Sequence, residues 1–328
     1  MLVLPYSQVM AYPTTLQDAI KHFSEEQICI DAVAEMRWPD GKPACAWCGS
    51  ENNKWMASQK RWNCRSCKKQ FSVKRGTIFQ DSPLGLDKWM VAMWMLANCR
   101  NGVSSYEISR AIGITQKSAW HMMHRIREAM KPRDGRKLGG DDTAVEVDES
   151  YVGGKLKNKH LAAKKDIAGT NLNKTIVMGA LDREKGHVRA EVIAAAKRDT
   201  MTAMVHKHVK FGSTVYTDNH VGYETMRHRY THDTINHINE YVRGQVHTNG
   251  IENFWSLLKR GLAGTYIAVE PEHLDRYVTE QVFRFNHRKD GKTPINDAGR
   301  FKAVLKDIVG RQLTYAELTG RDGSAATV

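Results

Sequence analysis

The chain has 328 residues, enough for two or three domains with a real core. It carries 49 Lys and Arg against 36 Asp and Glu, a formal net charge of +13, and that balance points to a polyanionic partner, chiefly nucleic acid. No run of about 18 apolar residues occurs and residues 1–6 lack the basic and long apolar regions of a secretory leader, so the expected location is the cytoplasm, at the nucleoid; the six cysteines stay reduced there and read as metal ligands before disulfides.

Residues 1–40 read as a helical lead-in. Thr14 or Thr15 caps a helix, Leu16, Ala19, Ile20 and Phe23 recur at its spacing, and the helical character runs on to Trp38-Pro39. Cys29 stands alone and reads as a packed core residue. Residues 41–80 hold Cys45-Ala-Trp-Cys48, fifteen intervening residues, and Cys64-Arg-Ser-Cys67. Two such knuckles predict a tetrahedral four-thiolate Zn²⁺ site, with Gly49 easing the first turn. Strand-like pieces at 54–56 and 70–73 complete a zinc-ribbon pattern. From Lys54 to Gln80, the basic residues Lys54, Lys60, Arg61, Arg65, Lys68, Lys69, Lys74 and Arg75 occur without an acidic one, interleaved with Trp55, Trp62 and Phe71. A purely structural zinc module would need no such one-sided charge, and DNA phosphates are the expected partner.

Residues 83–131 predict three helices: Leu86–Asn98, Ser105–Ile112 with Glu107 in its first turn, and a third from a Thr115 cap to about Met130. Gly113 turns the chain between the last two, and the pattern is that of a helix-turn-helix. Ala119, Met122, Met123 and Ile126 point inward, leaving Gln116, Lys117, His121, His124 and Arg125 to face a DNA groove. Residues 132–142 read as a linker.

The region 143–290 opens on a strand in which Val145 and Val147 alternate with Glu146 and Asp148. Two carboxylates on one strand face are costly to bury unless they face solvent or a metal. A Lys-rich loop at 155–174 reads as a solvated face or a DNA clamp. Strands at 175–181 and 187–193, a helix at about 200–209, a strand at 213–219 ending in Asp218, and a further helix and short strand follow, then a helix at 251–260. This is an α/β order with a mixed sheet. If the strands carrying Asp148 and Asp218 are neighbours, their backbones lie roughly 4.8 Å apart, close enough to bracket divalent ions. Glu252 and Lys259 are seven residues apart and share a helix face. Hard carboxylate donors suit Mg²⁺ or Mn²⁺. His220 and His247 read as hydrogen-bonding or structural residues.

Taken with the ribbon and helix-turn-helix, Val147-Asp-Glu-Ser-Tyr-Val-Gly-Gly-Lys155, Tyr216-Thr-Asp-Asn219 and His247-Thr-Asn-Gly-Ile-Glu-Asn-Phe-Trp-Ser-Leu-Leu-Lys-Arg-Gly261 resemble a bacterial insertion-sequence DDE transposase of the ISXO type, over roughly residues 15–300. The resemblance implies a ribonuclease H-like core in which Asp148 and Asp218 match the first two catalytic aspartates. Glu252, 34 positions after Asp218, matches the third acidic residue, and Lys259 the basic residue beyond it. Asn249, one turn earlier, is the other candidate for third ligand; Glu252 is preferred because a third charge helps to hold two cations. The implied reaction is two-metal cleavage of transposon ends and their joining to target DNA, by a homodimer or higher oligomer on double-stranded DNA. A captured transposase that only binds DNA, and a metal-dependent nuclease, are the alternatives. Residues 271–288 predict a helix. Residues 291–328 predict a helix at 301–313 and a disordered tail from 324.

Overall fold

Thr15 caps the first helix through its side chain, which accepts the Asp18 N–H at 3.2 Å. The single helical stretch expected over 14–38 is broken at Phe23 into α1 (Leu16–His22) and α2 (Glu26–Arg37). Cys29 is buried, its thiol donating to the Phe23 carbonyl at 3.3 Å. The computed structural model describes residues 12–133, 135–140, 143–153, 174–218, 221–235 and 247–321. They divide into two units, one formed by 12–130 with 294–321 and the other by 131–293. Among the described residues, no helix is long and apolar enough to cross a membrane.

In the first unit, β1 (Asn53–Met56), β2 (Arg61–Cys64) and β3 (Gln70–Phe71) form an antiparallel three-stranded ribbon. Trp62 and Phe71 stack at 5.8 Å, and Trp38 meets the edge of Trp62 at 5.0 Å. Trp62 and Phe71 are buried, so they pack the module and leave its exposed surface to Lys54, Arg61, Arg65 and Lys68.

The three helices that follow are α3 (Leu86–Asn98), α4 (Ser105–Ile112) and α5 (Gln116–Met130). Ser104 and Glu107 form a reciprocal capping box, Gly113 ends α4 at φ +63°, and Thr115 accepts the Ser118 N–H. The apolar residues of α5 are buried as their spacing requires, but its polar face differs from expectation. His124 and Arg125 are buried, and the Arg125 guanidinium donates to the Gln80 carbonyl at 2.5 Å while lying over the Trp89 ring. His121 donates to the Leu313 carbonyl at 3.2 Å, and the Lys117 ammonium sits 4.7 Å over the Tyr315 ring. The C-terminal segment lies over Lys117 and His121, and Gln80 with Trp89 covers Arg125, so the buried His124 and Arg125 are packing residues, not groove readers.

The second unit holds a five-stranded sheet in the order β6-β5-β4-β7-β8. Its strands are β4 (Ala144–Val152), β5 (Thr175–Asp182), β6 (His187–Ile193), β7 (Thr214–Asp218) and β8 (Thr231–Ile235). β4, β5 and β6 run antiparallel in turn, while β7 joins β4, and β8 joins β7, in parallel. Between β6 and β7 lies α6 (Arg198–His208); after β8 come α7 (Asn249–Gly261) and α8 (Leu274–Asn286). One sheet face packs Val145, Val147 and Val215 against Met201, Met204 and Val205 of α6. The other packs Val177, Leu181 and Val188 against α7 and α8. Each such side chain contributes roughly 1.5–3 kcal/mol by burial. This mixed sheet is the ribonuclease H-like core. Within the stretch read as a linker, Leu138 is buried and pairs with the end of α6, its N–H donating to His208 O at 2.7 Å.

The C-terminal helices belong to the first unit. The helix expected over 301–313 is α9 (Asp297–Lys306), because Asn296 caps it by accepting the Gly299 N–H. Phe301 packs 5.3 Å from Phe23. A short α10 (Tyr315–Leu318) follows. The expected Lys-rich loop, save Lys174, and the expected disordered tail, together with His220, lie outside the described residues.

Candidate active site

The alternation along β4 sends Val145 and Val147 into the α6 layer and leaves Glu146 and Asp148 on the α7 face. β7 repeats the pattern, with Val215 and Thr217 buried and Tyr216 and Asp218 on the other side. The parallel register pairs Val145 with Val215 and Glu146 with Tyr216. Two residues beyond the last paired positions, Asp148 and Asp218 lie on the same face of these adjacent strands. Burial, followed by the charges of Glu149 and Asp218, pushes the Asp148 carboxyl up to about 7. The Trp255 indole N–H donates to Asp148 Oδ2 at 2.9 Å and opposes that rise. Crowded hard oxygen donors of this kind fit Mg²⁺ or Mn²⁺.

Helix α7 delivers the remaining candidates. Asn249 is its first residue, Glu252 lies in its first turn and Lys259 in its last, and all three are exposed. Glu252 Oε1 accepts the Thr248 hydroxyl at 2.9 Å. The carboxylate oxygens of Asp148, Asp218 and Glu252 do not converge to within 4.8 Å of one another; among the described residues only the four cysteines form such a group. The structure thus brings the two aspartates together by register and leaves Glu252 one helical turn before Trp255, the residue touching Asp148.

The four-cysteine site is built. Cys45 and Cys67 sulfurs lie 3.7 Å apart, and Cys48 and Cys64 sulfurs 3.6 Å. A tetrahedron with Zn–S bonds of about 2.3 Å has edges of about 3.8 Å, so the thiols fit zinc. Gly49 takes φ +74° after the first knuckle, and the Cys67 N–H points at Cys64 Sγ from 3.5 Å.

Residues 137–286 match the ISXO2-like transposase domain, and residues 24–70 match the transposase zinc-ribbon domain. The chain is 27% identical over 289 residues to an uncharacterized protein in transposable element ISH50 of Halobacterium salinarum, covering 83% of this chain and 95% of that protein. It is 31% identical over 104 residues to an uncharacterized transposase-like protein of Haemophilus influenzae, covering 31% of this chain and 84% of that one. The chain belongs to the ISXO2-like transposases. Its two matched domains coincide with the ribbon and with the unit that carries the aspartate pair.

Several residues of this transposase site escaped sequence reasoning. Glu146 was legible as a carboxylate on the Asp148 face, but not as the anchor of α7. It is buried, accepts the Ile251 N–H at 2.8 Å and pairs with Arg183 Nε at 2.7 Å. Arg183 also donates to His247 Nδ1 at 2.7 Å, which gives His247 the hydrogen-bonding place expected of it. Tyr223 is fully buried and donates to Glu149 at 2.6 Å, pinning β4 from the opposite face. No local pattern reports these contacts, because each joins segments far apart in the chain.

Proposed function

We propose that this transposase binds the ends of its insertion sequence, cleaves them and joins them to target DNA by metal-assisted phosphoryl transfer. The observation that carries the reading is the aspartate pair: Asp148 and Asp218 lie on one face of neighbouring parallel strands, just beyond the last paired positions Glu146 and Tyr216, and the Asp218 charge raises the Asp148 carboxyl. Asp148, Asp218 and Glu252 would hold Mg²⁺ or Mn²⁺, with Asn249 as the alternative third donor. Divalent cations bound there supply an activated water or 3′-hydroxyl and stabilise the oxygen leaving phosphorus. Lys259 holds a DNA phosphate as a point charge. The ribbon at 41–80 and the helices at 83–131 bind double-stranded DNA, the region 143–290 performs the chemistry, and the pairing of two ends calls for at least a dimer on DNA.

A strand-transfer assay tests this. Full-length protein is mixed with a labelled element end, a plasmid target and Mg²⁺, with Asp148→Asn alongside. Joined product that disappears in the variant supports the proposal. Nicking without joining would make the protein a nuclease, and binding with neither would make it a DNA-binding factor; either result overturns the reading.

A further inference from the structure

Trp255 is almost fully buried in the layer between α7 and the sheet. An indole carries one N–H donor and no acceptor, and a buried donor left unmade is costly. That single N–H is committed to Asp148 Oδ2 at 2.9 Å. The approach depends on a residue on the next strand. Gly179 is the β5 partner of Asp148 in the antiparallel register. A Cβ on Gly179 would stand 2.9 Å from Trp255 Cη2, 3.0 Å from Cζ2 and 3.1 Å from Ile251 Cδ1. The sheet therefore leaves out a side chain where the indole lies down beside the aspartate. An aromatic seeking only apolar area would not need its N–H aimed at a carboxylate, and a Phe would fill much of the same space.

We infer that Trp255 is a positioning residue for the catalytic metal site: its indole N–H holds one oxygen of Asp148, fixes the carboxylate plane and leaves Oδ1 for a divalent cation shared with Asp218. The inference rests on the reading of Asp148 as a metal ligand. Hydrogen-bonded partners of this sort orient ligating carboxylates, and their removal weakens metal binding or activity by about 10–100-fold. Gly179 acts one step further out, by admitting the indole.

The test measures Mn²⁺ affinity directly, from the electron paramagnetic resonance signal of unbound Mn²⁺, in zinc-loaded full-length protein. Trp255→Phe keeps the ring and removes the donor. The expected result is a loss of Mn²⁺ affinity of about 10–100-fold, with affinity for a transposon end unchanged in a gel shift. The Mn²⁺ concentration for half-maximal strand transfer rises by the same factor, and saturating metal restores the rate. Wild-type Mn²⁺ affinity in folded Trp255→Phe overturns the inference, as does a rate that saturating metal fails to restore. Asp148→Asn run in parallel separates the two readings. If it loses Mn²⁺ while Trp255→Phe retains it, only the positioning role fails; if Asp148→Asn also retains it, the metal-site reading fails first. Should Trp255→Phe not fold, Gly179→Ala carries the test, since it displaces the indole with the N–H intact; it is expected to lower Mn²⁺ affinity in the same direction, and unchanged affinity overturns the inference.

Discussion

The carboxylate of Glu146 accepts the backbone N–H of Ile251 at 2.8 Å, and this bond ties the middle strand of the sheet to the first turn of α7. The first N–H groups of a helix have no partner within it, and Thr248 supplies no side-chain cap to this one. A carboxylate from a strand 105 residues earlier does so instead, where the helix dipole favours negative charge. Arg183 neutralises Glu146 from the other side. Gly250 makes room, since a Cβ there would lie 2.8 Å from Glu146 Oε2. Trp255, Glu252 and Lys259 all take their positions from a helix anchored in this way.

Glu146→Ala should therefore destabilise the second unit by about 3–5 kcal/mol, the range found when one partner of a buried ion pair is removed. Urea denaturation followed by circular dichroism measures this. Gly250→Ala should cost about 1–3 kcal/mol by overpacking against the same carboxylate. A Glu146→Ala protein as stable as the wild type would show that Arg183 and Ile251 find other partners.

Asp148→Asn should abolish strand transfer while stabilising the protein in magnesium-free buffer at pH 8. The native carboxyl titrates at about 7, against about 3.9 in an unfolded chain. Between these values the fold binds a proton that the unfolded chain has released, so native stability falls as pH rises from about 4 to 7 and stays reduced above. An amide carries no such cost and still accepts the Trp255 N–H. The variant should gain on the order of 1–3 kcal/mol at pH 8, and the gain should close towards pH 4. Thermal denaturation at the two pH values decides it; equal stability at pH 8 would deny that burial and the neighbouring charges of Glu149 and Asp218 penalise the ionised Asp148.

What the sequence disclosed follows the range over which each force acts. The helices α3, α4 and α5 were legible because Ser104, Glu107, Gly113 and Thr115 act within a few residues of the turns they shape. The alternation of β4 placed Asp148 on a polar face, and the zinc knuckles announced themselves by spacing alone. Glu146 capping Ile251, Trp255 over Gly179 and Leu313 over His121 were illegible, since nothing local in either partner specifies the other. The same gap explains the misread face of α5. The polar residues of α5 meet Gln80, Trp89 and the chain's own C-terminal segment, partners that nothing in the helix itself specifies.

Arg125→Ala should accordingly behave as a core substitution. Its guanidinium is buried over Trp89, and burial lowers it to about 10. Truncation removes the stem that packs there and the bond to Gln80 O, an expected loss of about 2–3 kcal/mol. Lys117→Ala, on the exposed edge of the same helix, should change stability by no more than about 0.5 kcal/mol. Comparing the two by urea denaturation separates packing from DNA contact. If Arg125→Ala is fully stable and alters only the salt dependence of DNA binding, the residue serves the groove after all.

Zinc removal should act on the ribbon through its aromatic stack. The ribbon strands are short, and Trp62 and Phe71 are held against Trp38 by a module whose two knuckles meet at the four sulfurs, with Ser50 Oγ 2.8 Å from Ser66 Oγ beside them. Small metal-bound modules of this kind derive their folding energy from the metal outright. Cys64→Ser, or treatment with a strong chelator, should release zinc and erase the near-ultraviolet circular dichroism contributed by Trp38, Trp62 and Phe71. Affinity for DNA should fall together with that signal, because the exposed Lys54, Arg61, Arg65 and Lys68 would no longer be held on one surface. The sheet of the second unit has its own core and should keep its far-ultraviolet signal. Zinc retained in Cys64→Ser by metal analysis would contradict the four-thiolate site, and an intact aromatic signal after zinc release would show that the stack holds the ribbon by itself.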